Sequence, residues 1–303
     1  MLRMGFDIGG TTIKGGLVDD DLKLVSRVDR PTPFGDAGLL CDSICAMADE
    51  LTRGTDPCRI AGVTVPGSVS RGGEIIDAWN IGLRNIPIRR MLEEKLDAET
   101  VIVKNDADAA CCAELKIGAL QGVKTGLMLT LGTGVGGSII IDGKLFHGGL
   151  DRGTELGHAM INRGGAVCGC GHRGCIETLC SASALKRLAQ KACQERKGMI
   201  YSLSERGEAP DAKLLIDCAR KGDSMAVQLF DEYTDVLSDA IASFVNILDP
   251  QVIVIGGGVS GAGDFLTERL KAKVPPRTFF GSCGSIVAAQ AGNDAGIIGA
   301  VME

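Results

Sequence analysis

The stretch from His158 to Glu177, "HAMINRGGAVCGCGHRGCIE", concentrates residues that bind metals. Cys168, Cys170 and Cys175 lie close together, with His158 upstream. Three thiols and an imidazole at this spacing predict a tetrahedral Zn²⁺ site. Four protein ligands leave no open coordination position, so such an ion is structural rather than hydrolytic. His172 is the competing histidine, but it sits between the cysteines in a tight loop. If "TELGH" is helical, Glu155 and His158 face the same way. An imidazole that gives one nitrogen to a metal can offer the other to a ligand. Glu177 follows soon after Cys175, so the ion would gather Glu155, His158 and Glu177 in one small space. Two carboxylates and a ring N–H suit the hydroxyls of a sugar.

Two glycine hairpins form the next group. "IGGTTIKGGLVD" (8–19) and "LGTGVGGSIIID" (131–142) superpose without gaps, which suggests two related halves. Successive N–H groups in a tight turn form an anion-binding nest. Gly9, Gly10, Thr11 and Thr12 in one hairpin, and Gly132, Thr133 and Gly134 in the other, therefore read as a phosphate cradle. Neither is a Walker A loop, because no Gly-Lys-Ser/Thr follows. A third glycine turn, Gly256–Gly258, follows the apolar "VIVI" and reads as the open end of a strand where a nucleotide base sits. It lacks the context of a dinucleotide fingerprint. In "KNDADAA", Asn105 and Asp106 stand where a strand gives way to a helix. A carboxylate at that end can take a proton from a substrate hydroxyl, with the neighbouring Asn as hydrogen-bond partner. The competing role for Asp106 is the cap of the helix that follows.

These groups need a scaffold. "LRMGFDI", "IKGGLVDD", "RIAGVTVPG" and "ETVIVKND" read as strands, and 36–53 has apolar residues at helical spacing. "TGLMLTLGTGVGGSIIIDGKLF" is strand, turn, strand; helices follow around 211–221 and 223–248; "PQVIVIGGG" is a buried strand. Alternating strands and helices give the α/β class. The 303 residues carry a formal net charge of −6 and no basic run, which excludes a nucleic-acid footprint. No apolar run approaches the length of a membrane span, and no export signal is read at the amino end. A soluble, cytoplasmic protein with reduced thiols outside the metal cluster is expected.

Together these residues resemble the ROK family (repressors, open reading frames and sugar kinases). The resemblance spans nearly the whole chain, and is most specific in "ELGH", "CGCGHRGCIE", "NDADAA" and "LGTGVGG". It implies an actin-like (ribonuclease H-like) ATPase fold, with two domains flanking a cleft for sugar and ATP. It implies Asp106 as catalytic base. It places Asn80, Asn105, Glu155, His158 and Glu177 on sugar positions, and Asp7 with the first two turns on phosphate and Mg²⁺ positions. Gly256–Gly258 fall on the adenosine region. Residues 1–116 plus 290–303 are expected to form a small domain and 117–289 a large one, in a homodimer or homotetramer. The layout is most similar to bacterial glucokinases. Thr12, Leu83 and "GGLDRGTE" depart from that branch's usual residues and bear on which sugar is used: glucose, N-acetylmannosamine, N-acetylglucosamine, fructose or allose. Family members that regulate transcription carry a DNA-binding segment before the first phosphate strand, and none is read here.

Overall fold

A computed structural model describes residues 1–302 as two compact units. The first comprises Met1–Gly122, Gly143–Thr154 and the segment from Gln290 onward; the second comprises Val123–Asp142 and Glu155–Ala289. The first stretch therefore runs past 116 to Gly122, and 143–154 goes with the first unit rather than with the second. The reason is local bonding. Ser68 Oγ donates to the carbonyl of Arg152 at 3.3 Å, and Arg71 pairs with Asp151 at 3.6 Å.

The first unit opens with β1 (Arg3–Ile8), β2 (Thr12–Val18), β3 (Leu24–Pro31) and α1 (Ala37–Leu51). It continues with β4 (Ile60–Val65), the small strands β5 (Ser68–Val69), β6 (Ile75–Ala78) and β7 (Leu83–Ile86), then α2 (Ile88–Glu93), β8 (Thr100–Asn105) and α3 (Asp106–Ile117). Its main sheet has the order β3-β2-β1-β4-β8. The β1–β2 pair is antiparallel, and β1, β4 and β8 run parallel. Asp36 caps α1 by accepting from Leu39 N–H at 2.9 Å, and Leu40, Ile44, Met47 and Leu51 line its buried face. The core of this unit centres on Phe6, Ile13, Met47 and Val63, all fully buried.

Next come β9 (Gly126–Leu131), β10 (Val135–Ile141), β11 (Lys144–Leu145) and the helices α4 (Glu177–Cys180), α5 (Ala182–Gln194), α6 (Gly198–Ser204), α7 (Ala212–Arg220) and α8 (Ser224–Leu248). Then follow β12 (Val252–Gly256), α9 (Asp264–Lys273), β13 (Ser285–Ala288) and α10 (Ala295–Ala300). The second main sheet has the order β11-β10-β9-β12-β13, with β9–β10 antiparallel and β9, β12 and β13 parallel. This repeats the strand order of the first sheet, as the echo between the hairpins predicts, but not without a gap: Leu131 faces Val135 where Ile8 faces Ile13, so the second hairpin is one residue shorter. Helices α5 to α8 pack over this sheet around Phe230, Tyr233, Leu237 and Ile241. Tyr233 is fully buried, and its hydroxyl donates to the carbonyl of Cys180 at 2.7 Å. A buried phenol needs such a partner.

Glu114, on α3, is a fully buried charge. Its Oε1 accepts from Gln290 and Ala291 N–H, and its Oε2 from Ala119 N–H, each at 2.7 Å. This carboxylate pins the chain where it re-enters the first unit. Among the described residues no helix is long and apolar enough to cross a membrane.

Candidate functional site

In the first unit the chemistry gathers at the carboxyl ends of β1 and β8. Asn105 caps α3: its side-chain oxygen accepts from Ala107 N–H at 2.8 Å and Asp108 N–H at 3.1 Å. Its amide nitrogen donates to Gly67 O at 2.9 Å. The capping role that the sequence left open to Asp106 thus falls to its neighbour, and the Asn105 amide keeps one N–H for a ligand. Asp106 is the first residue of α3, and its Oδ1 meets its own helix through Ala107 N–H at 2.9 Å. Burial, and then the nearby charge of Asp7, push its carboxyl up to about 7. A carboxyl poised there can accept a proton at neutral pH.

Asp7 stands near the end of β1. Its Oδ1 accepts from Thr64 Oγ1 at 2.8 Å, and its Oδ2 lies 3.7 Å from Lys14 Nζ. The next residues make the first glycine turn, closed by Gly9 N–H to Thr12 O at 2.9 Å. Thr32 braces it from β3's end, its Oγ1 donating to Gly9 O at 2.8 Å. Asn80, on a 3₁₀ turn over Trp79–Ile81, lies against Gly10. Asp7, Gly9, Gly10, Thr11, Thr12, Asn80, Asn105 and Asp106 therefore all belong to the first unit.

In the second unit the four candidate metal ligands lie together. The ligand atoms of His158, Cys168, Cys170 and Cys175 all lie within 4.8 Å of one another. A tetrahedral Zn²⁺ sets S···S at about 3.8 Å and S···N at about 3.6 Å. Cys170 and Cys175 Sγ are 3.7 Å apart, and Cys168 Sγ lies 3.5 Å from His158 Nδ1. The geometry thus fits such an ion, with Nδ1 as the ligand atom. His172 Nδ1 lies 3.5 Å from Cys170 Sγ but falls outside the four-membered group. Burial pushes the Cys168 thiol up to about 12, so a cation must displace its proton.

The stretch before the knot is helical, a 3₁₀ turn over Leu156–His158. His158 Nε2, the nitrogen turned away from the cluster, lies 4.0 Å from Glu155 Oε2. Glu177 opens α4 and accepts from Val135 N–H at 3.1 Å. The second glycine turn is closed by Gly132 N–H to Gly134 O at 3.0 Å.

Beside that turn lies a cavity of about 640 Å³, lined in part by Thr133, Ser183, Lys186, Asp211, Arg220 and Gly258. Its size falls in the range of small-molecule sites. Of the third glycine turn, Gly258 lines the cavity, Gly256 ends β12 and Gly257 takes φ +77° just before it. Sequence reasoning missed Lys186, Asp211 and Arg220. They sit on helices α5 and α7 or at an N-cap, at spacings that any solvated helix shows. Asp211, for instance, reads as an ordinary cap, and it does accept from Leu214 N–H at 2.9 Å.

Two matching sheets, each opened by a glycine hairpin, with an acid at a strand's carboxyl end and a nucleoside-sized cavity, define an actin-like ATPase fold. The ROK family model matches residues 3–302, and the chain belongs to that family. The glucokinase of Halalkalibacterium halodurans is 38% identical over 308 residues, covering 98% of this chain and 92% of that protein. That of Thermotoga maritima is 34% identical, covering 98% and 95%. A ROK family glucokinase from Streptomyces griseus, solved with glucose and AMPPNP, superposes with a TM-score of 0.88 at 31% identity, covering 99% of this chain and 98% of that one.

Proposed function

We propose that this protein is an ATP-dependent hexose kinase that moves the γ-phosphoryl group of ATP to the 6-hydroxyl of glucose. The observation that carries the reading is Asp106, set at the carboxyl end of β8 as the first residue of α3, its carboxyl pushed up to about 7 by burial and by nearby Asp7. Asp106 takes the proton of the sugar hydroxyl as its oxygen bonds to the γ-phosphorus. The bond from that phosphorus to the β–γ bridging oxygen breaks, and ADP leaves. Amides of the Gly9–Thr12 and Gly132–Gly134 turns stabilise charge on the transferring group. Asn80, Asn105, Glu155, His158 Nε2 and Glu177 hold the sugar hydroxyls. The cavity beside Gly256–Gly258 takes the nucleoside.

Asp7 has the hard carboxylate oxygens that suit Mg²⁺, and the ion when bound supplies neutralising charge on the phosphates. Zn²⁺ held by His158, Cys168, Cys170 and Cys175 keeps the sugar-binding residues in register. A kinase that draws on the ATP pool works in the cytoplasm, and we place this one there as a homodimer or homotetramer.

The test is a coupled ADP-release assay with ATP, Mg²⁺ and a panel of glucose, fructose, allose, N-acetylglucosamine and N-acetylmannosamine. A strong preference for glucose is expected. Preference for another sugar would keep the mechanism and shift attention to Leu83, Arg152 and Thr154. No turnover by zinc-loaded protein would overturn the kinase reading.

A further inference from the structure

The cavity beside the second glycine turn is lined by three basic side chains, Lys186, Lys213 and Arg220, and by two acidic ones, Asp211 and Asp217. Two of the three cations are already engaged by the protein. Lys213 Nζ lies 2.9 Å from Asp217 Oδ2, one helical turn away on α7. Arg220 lies 3.9 Å from the other oxygen of the same carboxylate. Its Nη2 also donates to Gly261 O at 3.2 Å and to Ala262 O at 2.5 Å. Its guanidinium is 5.9 Å from the centre of the Phe265 ring. Asp211 is turned to its own helix as the cap of α7, accepting from Leu214 N–H at 2.9 Å. Among the described residues Lys186 alone of these five has neither an ion pair nor a side-chain hydrogen bond.

Its place on α5 directs that free charge. Ser183 and Lys186 are three residues apart and share a helix face. Helical side chains lean toward the amino end of their helix, so the Lys186 stem runs back over Ser183. That end of α5 is tied to the glycine turn: Ser183 Oγ donates to Thr133 O, and Ala182 N–H to Gly132 O, each at 2.7 Å. Thr133 and Ser183 both line the cavity. An anion reaching from the turn into the cavity would therefore meet one cation with no protein partner to give up.

We propose that Lys186 binds the phosphates of the nucleotide where they pass from the Gly132–Gly134 turn into the cavity. The proposal rests on the reading of the cavity as a nucleotide site. Lys186 is exposed, so its pull on a phosphate is modest and is screened by salt.

The experiment uses the whole, zinc-loaded protein, with ADP as the probe. ADP affinity is measured by calorimetry for the wild type, Lys186→Arg, Lys186→Met and Lys186→Glu, at low and at high salt. At low salt Lys186→Met is expected to bind ADP about fivefold more weakly, Lys186→Glu about twentyfold more weakly, and Lys186→Arg within about twofold of the wild type. At high salt the spread should shrink to about twofold. In the coupled assay Lys186→Met should raise the KM for ATP by about fivefold and move the sugar KM by less than about twofold. Lys186 has no protein partner to lose, and unchanged urea midpoints would show that the variants keep the fold. Lys186→Met binding ADP as the wild type does, Lys186→Glu binding no more weakly than Lys186→Met, or a loss that persists undiminished at high salt overturns the role of Lys186 alone. Wild-type protein that binds no ADP overturns the nucleotide reading, and the role of Lys186 with it.

Discussion

In the first unit the strand leading into the glycine turn carries Asp7, paired with Lys14 across the hairpin at 3.7 Å. In the second unit the echo puts Thr130 in place of Asp7, and because the second hairpin is one residue shorter, Gly136 faces Thr130 where Lys14 faces Asp7. Thr130 holds no charge and pairs with Gly136 and Gly256 in the sheet. The two copies share strand order and a glycine hairpin, with turns that differ by one residue, yet Asp7 and Asp106 have no counterpart in the second. The turn is a property of the backbone and survives in both. The general-base chemistry needs a carboxylate in a desolvated place, and Asp106 obtains that at the end of β8, within the electrostatic reach of Asp7. The second copy instead spends its long insertions on a metal knot and a cavity wall. One scaffold has thus been divided between a charged half and a binding half.

The sharpest way to break this division is Asp106→Asn. We expect kcat to fall by about 10³-fold with zinc content unchanged, measured by the coupled assay and metal analysis. The same change should stabilise the fold at neutral pH. Between the ordinary value of 3.8 and about 7, the folded protein keeps a proton on Asp106 that the unfolded chain has released. Stability therefore falls as pH rises through that window. Urea midpoints of the wild type should show that fall, and those of Asp106→Asn should lack this part of it.

Asp7→Asn should cost about 10²-fold in kcat, since it removes charge beside the transferring group. Cys175→Ser should lose the ion and raise the sugar KM by about tenfold or more while sparing kcat comparatively. A fall in kcat as large as that of Asp106→Asn would erase the distinction between the halves. A smaller effect is expected in the pH profile. The wild-type kcat/KM should rise to a plateau through about 7, as Asp106 loses its proton. In Asp7→Asn that limb should move to lower pH, because a repelling neighbour is gone. Thr130→Val should change kcat by less than about threefold, because it removes no charge from the sheet end. A large loss there would show that the second hairpin works in the same way as the first.

Much of this arrangement is legible in the sequence because glycine turns, cysteine spacing and a strand-ending Asn-Asp are local signals. The echo between 8–19 and 131–142 already contained the repeated sheet. The assignment of roles at Asn105 and Asp106 was not legible, because both are good caps and both do bond the helix start; Asn105 takes the N-cap place with its amide turned to Gly67 O, a partner remote in the chain. The small sheet of β5, β6 and β7 is built from strands of two to four residues, too short for a periodic pattern to declare itself. The move of 143–154 into the first unit depends on contacts with Ser68 and Arg71, which are remote in the chain. Glu114 reads as a solvated helix charge, and only the returning backbone at 290–291 makes it a buried clamp.

The last helix gives the molecule an awkward birth. Ile297 and Ala300 of α10 are buried in the first unit, and a Cβ on Gly62 of β4 would lie 2.1 Å from the Ala300 carbonyl oxygen. Lys104 of β8 donates to the carbonyls of Gly299 and Met302. Strands made early are thus covered by a helix made some two hundred residues or more later. At about 5–20 residues per second, on the order of ten to sixty seconds pass between the synthesis of β1, β4 and β8 and that of α10. Through that interval an apolar sheet face stands open to water and to chaperones, while residues 155–289 can already fold. The half that carries the base is begun before the other half and completed after it.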